Sequence, residues 1–301
     1  MTQMHRQSMT AYGAPLYETV VEAPQPQGTQ VLVRIARCGV CHSDLHMQDG
    51  YFTLGDGKQL DVRAGRTLPF TLGHEIAGAV EAVGPDSDAK IDAKAAVYPW
   101  IGCGQCPACQ HGDENICIRP RHLGITVDGG YATHVLVPHA RYLIDYAPLP
   151  TSYAGALMCS GLTAYAALKR LTDRASRAPL LLVGAGGVGL MGLALTCAMY
   201  GAPYVADIDQ KKCEAALAAG AKQVFDPADP NTRKAVDVAE ALASDQDVAE
   251  VEQEARSAKE AGIEGVPMFI FGGRFAVSGA QAPEYLAEAI ERLAPGRDAA
   301  E

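Results

Sequence analysis

The sequence has no excess of basic residues. Its 301 residues include 25 lysines and arginines against 35 acidic residues, which gives a net charge of -10. Nucleic-acid binding depends on a basic surface that neutralises phosphates, so the composition argues against this class of function. Tryptophan occurs once, but a composition that is 48% hydrophobic and 20% charged is that of an ordinary globular protein. The length allows two domains.

A secretory signal and a membrane span are also lacking. The first residues, M-T-Q-M-H-R, do not include the apolar core of a signal peptide. Residues 178–206 carry no charge and could by length cross a bilayer. They contain G-A-G-G-V-G and Pro203, however, which is typical of a buried strand, a turn and a helix. We therefore expect no membrane association and a cytoplasmic protein.

Cysteine is missing from the C-terminal part of the chain, since all nine cysteines precede residue 238. Residues 238–301 hold 13 acidic and 5 basic residues, so most of the net negative charge lies there. Both shifts in composition fall at the same place, where we expect a domain boundary. Close cysteine spacings without a secretory signal indicate metal ligands rather than disulfides, in a reducing compartment.

Two short motifs offer the ligands of a catalytic metal. Cys41 lies in C-G-V-C-H-S-D, His74 in G-H-E, and a further thiolate is available at Cys159 in M-C-S-G-L-T. Tetrahedral zinc accepts thiolates and imidazoles, and three protein ligands leave a fourth position for water or substrate. Cys38 and Cys41 also form a C-x-x-C pair typical of thioredoxin-like redox sites, but the βαβ context of such sites is absent here.

Four further cysteines share one short loop, in C-G-Q-C-P-A-C and D-E-N-I-C. They are Cys103, Cys106, Cys109 and Cys117. Four thiolates can close a tetrahedral zinc site that has no room for substrate and that stabilises a loop with little core of its own. Iron–sulfur clusters also use four cysteines, but their usual spacing differs and a proline after the last cysteine is missing. We therefore predict a structural zinc.

A dinucleotide fingerprint follows the two metal motifs. The run A-P-L-L-L-V predicts a buried strand that leads into a glycine turn and then an apolar helix. The residues of the turn are Gly184, Gly186, Gly187, Val188 and Gly189. Asp207 follows the next predicted strand, eighteen residues after Gly189. An acid at this place accepts the ribose 2'-hydroxyl and repels a 2'-phosphate, which predicts NAD rather than NADP.

Residues 1 to about 100 read as short strands with turns, such as V-L-V-R-I-A-R and E-I-A-G-A-V-E-A-V-G-P. This pattern predicts a small barrel-like β domain. Residues 153–171 have helical content and place Cys159 near a helix start.

Four motifs together carry a resemblance to a known family. They are C-G-V-C-H-S-D-L-H, T-L-G-H-E, the four-cysteine loop and G-A-G-G-V-G. Residues 8 to about 235 resemble the medium-chain zinc-dependent alcohol dehydrogenases. The resemblance implies an α/β plus β fold, with a GroES-like β-barrel catalytic domain over residues 1–150, a structural-zinc lobe at 100–120 and a partial Rossmann coenzyme domain over 151–237. It also implies hydride transfer between an alcohol and NAD, with an aldehyde or ketone as the other product, and two zinc ions per chain.

The same resemblance implies roles for individual residues. The catalytic zinc would be bound by Cys41, His74 and Cys159, and the structural zinc by Cys103, Cys106, Cys109 and Cys117. Around the catalytic zinc the matching residues are Asp44 and Glu75, and the proton relay matches Ser43 and His46. Toward the coenzyme, His42 matches a position facing the pyrophosphate, Thr163 one near the nicotinamide and Lys212 one beside the adenosine ribose.

The pattern departs from that family after about Lys234, where the second half of the coenzyme domain is missing. Residues about 238–294, within a C-terminal fragment of 238–301, resemble the C-terminal part of DsbA-like thioredoxin-fold oxidoreductases. We expect a helix from Ser244 to Gly262, a hairpin about Gly272 and Gly273, and a closing helix over 282–293. In that family the match of Val266–Pro267 is a cis peptide beside a dithiol, and the dithiol half is not in this chain.

Three functions follow as hypotheses. The first is a zinc-dependent, NAD-linked alcohol dehydrogenase, and the second is a non-enzymatic zinc-binding chimeric protein or pseudoenzyme. The third, a thiol-disulfide oxidoreductase, is weakened because the tail has no cysteine. A further hypothesis is that the two strands and two helices of the tail complete the open edge of the three-stranded half sheet, since an uncovered apolar edge invites aggregation. Whether the chain forms a homo-oligomer is left open.

Overall fold

The computed structural model of the protein describes residues 2–55, 57–171 and 179–227, together with the backbone of 268–271 and 275–278. Its N-terminal part is built from ten short strands. They are β1 (Gln3–Met9), β2 (Tyr17–Glu22), β3 (Val31–Gly39), β4 (Tyr51–Gly55), β5 (Lys58–Asp61), β6 (Phe70–Thr71), β7 (Glu75–Val83), β8 (Lys94–Val97), β9 (His134–Val137) and β10 (Leu143–Ile144).

These strands form two antiparallel sheets and a hairpin. The larger sheet has the order β10-β8-β7-β3-β9, the smaller has the order β2-β1-β6, and β4 pairs with β5. A bridge between Arg6 and Ala132 joins β1 to the segment that enters β9, so the two sheets continue into each other. The expected barrel-like β domain is therefore present, curved by irregularities in the β3–β7 ladder.

The core of this domain comes from the alternating segments recognised in the sequence. Val31 and Val33 of β3 pack with Ile76 of β7 and Val97 of β8, all fully buried. Burying one such side chain contributes about 1.5–3 kcal/mol. Because these residues lie beside the start of β7, the core fixes the segment that carries His74.

Helices in the first 171 residues are short. They are α1 (His42–Asp49), α2 (Pro107–His111), α3 (Thr151–Ala156) and α4 (Leu162–Arg170). A π-helical turn over Leu157–Gly161 joins α3 to α4 without a break. The expectation that Cys159 lies near a helix start is therefore wrong in detail, because it lies in the π turn in the middle of a continuous helical stretch. An inserted π turn rotates the following residues and recurs at functional sites.

The glycine turn opens a βαβαβ unit, as predicted. Its elements are β11 (Leu181–Val183), α5 (Gly187–Met199), β12 (Tyr204–Ala206), α6 (Gln210–Ala218) and β13 (Gln223–Phe225). The strands are parallel in the order β11-β12-β13, and Ala185, Leu193, Val205 and Ala216 form the core between sheet and helices. In the described residues this sheet has three strands, the number predicted.

Two strands are described further on, β14 (Met268–Phe271) and β15 (Phe275–Ser278), and they pair antiparallel around residues 272–274. The predicted hairpin is confirmed. The expectation that these strands complete the edge of the β11-β12-β13 sheet is wrong, since they form a separate two-stranded sheet. A hairpin partner is only a few residues away, so this local pairing needs no long loop closure. Both predicted tail helices and Val266–Pro267 lie outside the described residues.

Within the described part of the chain, the helices are all too short or too polar to cross a membrane.

Candidate functional site

Helix α1 positions the first metal ligand. Cys41 is its N-cap residue, and the backbone N–H of Cys41 donates to Oδ2 of Asp44 at 2.9 Å. An acid at this position accepts an unpaired N–H of the first turn and is favoured by the helix dipole. The helix ends at Gly50, whose φ of 86° suits glycine. The sequence C-H-S-D thus fixes Cys41 at a helix N-terminus.

His74 lies between β6 and β7 and is fully buried. Its ring nitrogens have no hydrogen-bond partner among the described residues, although Nδ1 lies 3.2 Å from Oδ1 of Asp44. Gly73 holds the turn that aims this ring, with a φ of 95°. A β-carbon on Gly73 would lie 2.6 Å from the ring of Tyr131, so no larger residue fits there without movement.

The third predicted ligand, Cys159, reaches the same place from the π turn. Its Sγ lies 3.9 Å from Sγ of Cys41, and the ligand atoms of Cys41, His74 and Cys159 all lie within 4.8 Å of one another. The structure therefore brings together three residues separated by up to 118 positions in the chain.

This cluster fits a zinc ion on chemical grounds. The contact between the two sulfurs lowers the pKa of Cys41 to about 3 and raises that of Cys159, because one proton is shared between them. A divalent cation would ionise both thiols, and the buried His74 imidazole with no hydrogen bond would gain a partner. Since Nδ1 of His74 faces Asp44, Nε2 is the nitrogen left for the metal. Carboxylate–histidine–zinc arrangements of this kind orient the imidazole.

Asp44 is itself held by several donors. Oδ2 accepts from the Cys41 N–H and from the Tyr131 hydroxyl, each at 2.9 Å, and Oδ1 accepts from the Gly73 N–H at 3.1 Å. Burial raises the pKa of Asp44, but the His74 ring and these donors outweigh burial and hold the pKa below its usual value. The carboxylate is therefore charged and joins the two ligand-bearing segments.

Glu75 directly follows His74 and is also buried. Burial and the neighbouring Cys41 charge raise its pKa. Its carboxylate occupies the space where a β-carbon of Gly39 would lie, so the glycine of the C-G-V-C motif makes room for it. Both predicted acids, Asp44 and Glu75, thus lie beside the three-ligand cluster.

The predicted relay residues lie on α1. The Ser43 backbone N–H and hydroxyl lie near the Cys41 sulfur and help to lower the pKa of Cys41. The ring of His46 stacks on that of His42 and lies tilted against that of Phe52, with centroid distances of 4.7 and 4.5 Å. Ser43 and His46 are half-buried and His42 is exposed. The structure brings all three to one helix, with Ser43 nearest to the metal ligands.

Trp100 lies beside the cluster. Its ring centroid is 5.7 Å from that of His74, and Nε1 donates to the carbonyl oxygen of Met158 at 3.0 Å. This bond fixes an apolar ring between β8 and the π turn. Trp100 also contacts His122 edge-on. It provides an apolar wall next to His74.

The four-cysteine cluster forms as predicted. The sulfurs of Cys103, Cys106, Cys109 and Cys117 all lie within 4.8 Å of one another. Backbone N–H groups donate to these sulfurs, from Cys103 to Cys117 at 3.2 Å and from Cys106 to Cys103 at 3.4 Å. Such donors stabilise thiolates, so the loop fits a closed tetrahedral zinc site. Gly102 permits the approach, because a β-carbon there would lie 2.5 Å from Sγ of Cys109.

The sequence reasoning missed Glu114, which ties this lobe to the β domain. Its Oε2 accepts from the Tyr142 hydroxyl at 2.6 Å and from the Gly102 N–H at 2.8 Å, and its Oε1 pairs with Arg141 at 2.7 Å. Tyr142 belongs to the main hydrophobic core. The segment D-E-N-I-C contains no local pattern from which the contact of Glu114 with Tyr142, 28 residues away, could be predicted.

The coenzyme turn has the geometry that its glycines require. Gly184 has a φ of 92° and follows β11 directly, and Gly186 caps α5. A β-carbon on Gly189 would overlap the carbonyl oxygen of Gly184, so the helix approaches the turn closely only because position 189 is glycine. Gly187 and Val188 form the first turn of α5, where N–H groups without a partner in the helix can bind a phosphate.

Asp207 follows β12 beside this turn. Its Oδ2 accepts from the Ala185 N–H at 2.7 Å and its Oδ1 from the Asp209 N–H at 2.9 Å. These two donors lower its pKa, and Lys212 adds to the effect by its charge. The side chain of Lys212 is exposed on α6, while the hydroxyl of Thr163 donates to the Cys159 carbonyl one turn back in the helix.

These features define a class: a β domain with a three-ligand metal cluster and a four-cysteine lobe, followed by a dinucleotide-binding unit. Comparison with known proteins agrees. Residues 27–148 match the family described as alcohol dehydrogenase GroES-like domain. An NAD-dependent alcohol dehydrogenase of Sulfurisphaera tokodaii is 40% identical over 226 residues, which cover 74% of this chain and 64% of that protein.

Two solved structures support the fold. The D-arabinose dehydrogenase of Sulfolobus solfataricus superposes with a TM-score of 0.66 and 28% identity, over 75% of this chain and 67% of that one. A zinc-binding dehydrogenase of Sinorhizobium meliloti, bound to NADP, gives a TM-score of 0.65 and 28% identity, over 81% and 66% of the two chains. The resemblance to zinc-dependent alcohol dehydrogenases is therefore confirmed.

The C-terminal resemblance is confirmed as well, because residues 215–291 match the family described as DSBA-like thioredoxin domain. This match begins inside α6 and includes β13, so it starts within the βαβαβ unit. The chain spans under two thirds of the length of the first curated relative that it matches.

Proposed function

We propose that this chain is a zinc-dependent, NAD-linked alcohol dehydrogenase that transfers a hydride between an alcohol and NAD. The observation that carries the proposal is the convergence of Cys41, His74 and Cys159 within 4.8 Å, with the π turn of Cys159 packed against helix α5 of the dinucleotide turn. Three ligands of this type leave a fourth position for a substrate oxygen. Zinc, when bound there, supplies a Lewis acid that makes an alcohol more acidic and a carbonyl more electrophilic.

The chain's own residues supply the remaining parts. Cys41 and Cys159 bring two sulfurs, and Asp44 holds His74 in orientation. Ser43, next to Cys41, accepts the alcohol proton at Oγ and passes its own proton toward the imidazole of His46. Trp100 covers the His74 side with an apolar ring and excludes water, so small apolar alcohols are the class of substrate that suits this wall.

The coenzyme is held by the turn and by Asp207. The N–H groups at the start of α5 face a pyrophosphate, with His42 on the opposite side. Asp207 accepts the ribose 2'-hydroxyl and disfavours a 2'-phosphate, which supports NAD over NADP. Lys212 lies beside the ribose and Thr163 toward the nicotinamide in this proposal.

We further propose two zinc ions per chain, one in each cluster, with domain limits at 1–150, 151–237 and 238–301. Thiolate clusters of this kind need a reducing compartment, which favours the cytoplasm. The DsbA-like segment lacks cysteine and therefore performs no thiol exchange. A homo-oligomer is the assembly that we would test first, by light scattering.

The decisive experiment is a calorimetric titration of the zinc-loaded protein with NADH, with NADPH in parallel, followed by alcohol-dependent reduction of NAD. We expect saturable NADH binding that is stronger than NADPH binding, and reduction of NAD by small apolar alcohols. Binding without reduction, or zinc without NADH binding, would instead favour a non-enzymatic zinc protein. That alternative is supported by the match of residues 215–291 to a different family, where the dehydrogenase pattern stops.

A further inference from the structure

Tyr131 has its backbone fixed on two sides. Its N–H donates to the Leu72 carbonyl at 2.9 Å, and its carbonyl accepts from the Gln7 N–H at 2.7 Å. The neighbouring Gly130 N–H donates to the Gly73 carbonyl at 2.7 Å. Tyr131 is therefore tied both to β1 and to the segment that leads into His74.

The Tyr131 side chain crosses this segment. Its ring lies over Gly73, where a β-carbon would come within 2.6 Å of it. Its hydroxyl reaches past Gly73 and donates to Oδ2 of Asp44 at 2.9 Å. The chain separation of 87 residues between these two partners shows that the contact depends on the complete β domain.

Asp44 contacts both ligand-bearing segments. One of its oxygens accepts from the Cys41 N–H, and the other accepts from the Gly73 N–H and faces Nδ1 of His74. The carboxylate is buried, so the loss of one donor is not repaired by bulk water. Without the Tyr131 hydroxyl, Oδ2 would keep a single donor, and the orientation of the carboxylate toward His74 would be less well defined.

We propose that Tyr131 is a positioning residue for the three-ligand metal site, acting through Asp44 on His74 and Cys41. The inference rests on the proposed function in so far as that site holds the catalytic zinc. Partners that orient metal-binding residues typically affect metal affinity by 10- to 100-fold when removed. We expect Tyr131→Phe, which keeps the ring over Gly73, to weaken zinc binding at this site by about tenfold.

The experiment measures zinc affinity of both clusters by competition with a chromogenic chelator and records the Co(II) absorption bands of the three-ligand site. In Tyr131→Phe the zinc of the four-cysteine site should be retained, which provides an internal control for folding. Tyr142→Phe is the matched variant, because its hydroxyl also donates to a carboxylate, Glu114, but beside the other lobe. It should leave the Co(II) bands of the three-ligand site unchanged.

A double-mutant cycle separates positioning from packing. In an Asp44→Asn background, Tyr131→Phe should cause less than a twofold further loss of zinc affinity. The carboxylate through which Tyr131 acts on the metal ligands is already absent there. Equal losses in both backgrounds would show that the ring merely packs, and the proposal would be wrong. If Tyr131→Phe also loses the four-cysteine zinc, 3-fluorotyrosine at position 131 is tested instead. This stronger donor should tighten zinc binding, and an unchanged affinity would overturn the proposal.

The outcomes also distinguish the two levels of inference. A parent protein that binds no metal at Cys41, His74 and Cys159 contradicts the proposed function. A parent that binds zinc there with an affinity unaffected by Tyr131→Phe contradicts only the role of Tyr131.

Discussion

The carbonyl oxygen of Gly184 occupies the space where a β-carbon of Gly189 would lie. The first residue of the coenzyme turn and the last glycine of the fingerprint therefore share one close contact, which sets the distance between β11 and α5. This contact leads to the first of four predictions.

Gly189→Ala should push α5 away from the turn. Overpacking of this kind typically costs about 1–3 kcal/mol, and the displaced N–H groups should lower NADH affinity by at least about tenfold. Gly192→Ala in the same helix is the control, since a β-carbon there would meet Ala164 at an ordinary 3.7 Å. Calorimetric titration and thermal unfolding of both variants test the prediction, and equal NADH affinities would contradict it.

Asp207→Asn should change coenzyme preference while keeping the turn intact. The asparagine oxygen can still accept the Ala185 N–H, but the negative charge that we propose to face the ribose is removed. A hydrogen bond to a charged group contributes about 1.5–3 kcal/mol, so we expect NADH affinity to fall by roughly tenfold or more and the preference over NADPH to narrow. Titration with both coenzymes measures this. A preference identical to that of the parent protein would show that Asp207 does not contact the ribose.

The two metal clusters should be separable by mutation. Cys41→Ser and Cys103→Ser should each reduce zinc from two ions per chain to one, measured by mass spectrometry of the metal. Only Cys103→Ser should lower the unfolding temperature strongly, because the four-cysteine lobe has little core apart from its metal. Cys197→Ser is the control, since its Sγ donates to the Gly220 carbonyl and lies in neither cluster. A Cys41→Ser protein that still holds two zinc ions would exclude the three-ligand site.

Glu114 should make the stability of the lobe depend on pH. Burial raises the pKa of Glu114, but the Tyr142 hydroxyl, the Gly102 N–H and the Arg141 charge outweigh it and hold the pKa below its ordinary 4.5. A lowered pKa in the folded state means that this stabilisation is complete above pH 4.5 and is lost as the pH falls through the folded value.

We therefore expect Glu114→Gln to lower the free energy of unfolding by about 1–2 kcal/mol at pH 7, with the difference constant down to about pH 5 and shrinking below it. Urea unfolding of parent and variant over this range measures the difference. Glu18→Gln, an exposed carboxylate beside His5, should change stability by less than about 0.5 kcal/mol. A difference that persists unchanged at pH 3 would mean that the charge of Glu114 does not contribute.

The ligand residues could be predicted from sequence because their chemistry is specific. Few roles other than metal binding explain four cysteines on one loop, and the fingerprint with Asp207 needs only a strand, a turn and a helix in order. Their positions in the structure agree with these expectations.

Other features depend on contacts that no local pattern reveals. Tyr131 and Glu114 act on partners 87 and 28 residues away, and each looks like an ordinary strand or loop residue in the sequence. The π turn around Cys159 was missed because apolar periodicity does not distinguish a π turn from the α-helix on either side. The hairpin of β14 and β15 could be predicted from its turn residues, but the idea that it extends the β11-β12-β13 sheet was wrong, because each strand pairs with its nearer neighbour.

The continuous helical stretch that carries Cys159 has a thermodynamic consequence. Helix α4 continues from the π turn and packs against α5, which begins at the coenzyme turn. Zinc at Cys159 and a coenzyme at the start of α5 would each bind to one end of this packed helical unit. If binding at one end changes the affinity at the other, the coupling free energy is the same in both directions. By whatever factor zinc changes NADH affinity, NADH must change zinc affinity, so the dissociation constant of the metal would differ by that factor between the coenzyme-free and coenzyme-bound protein.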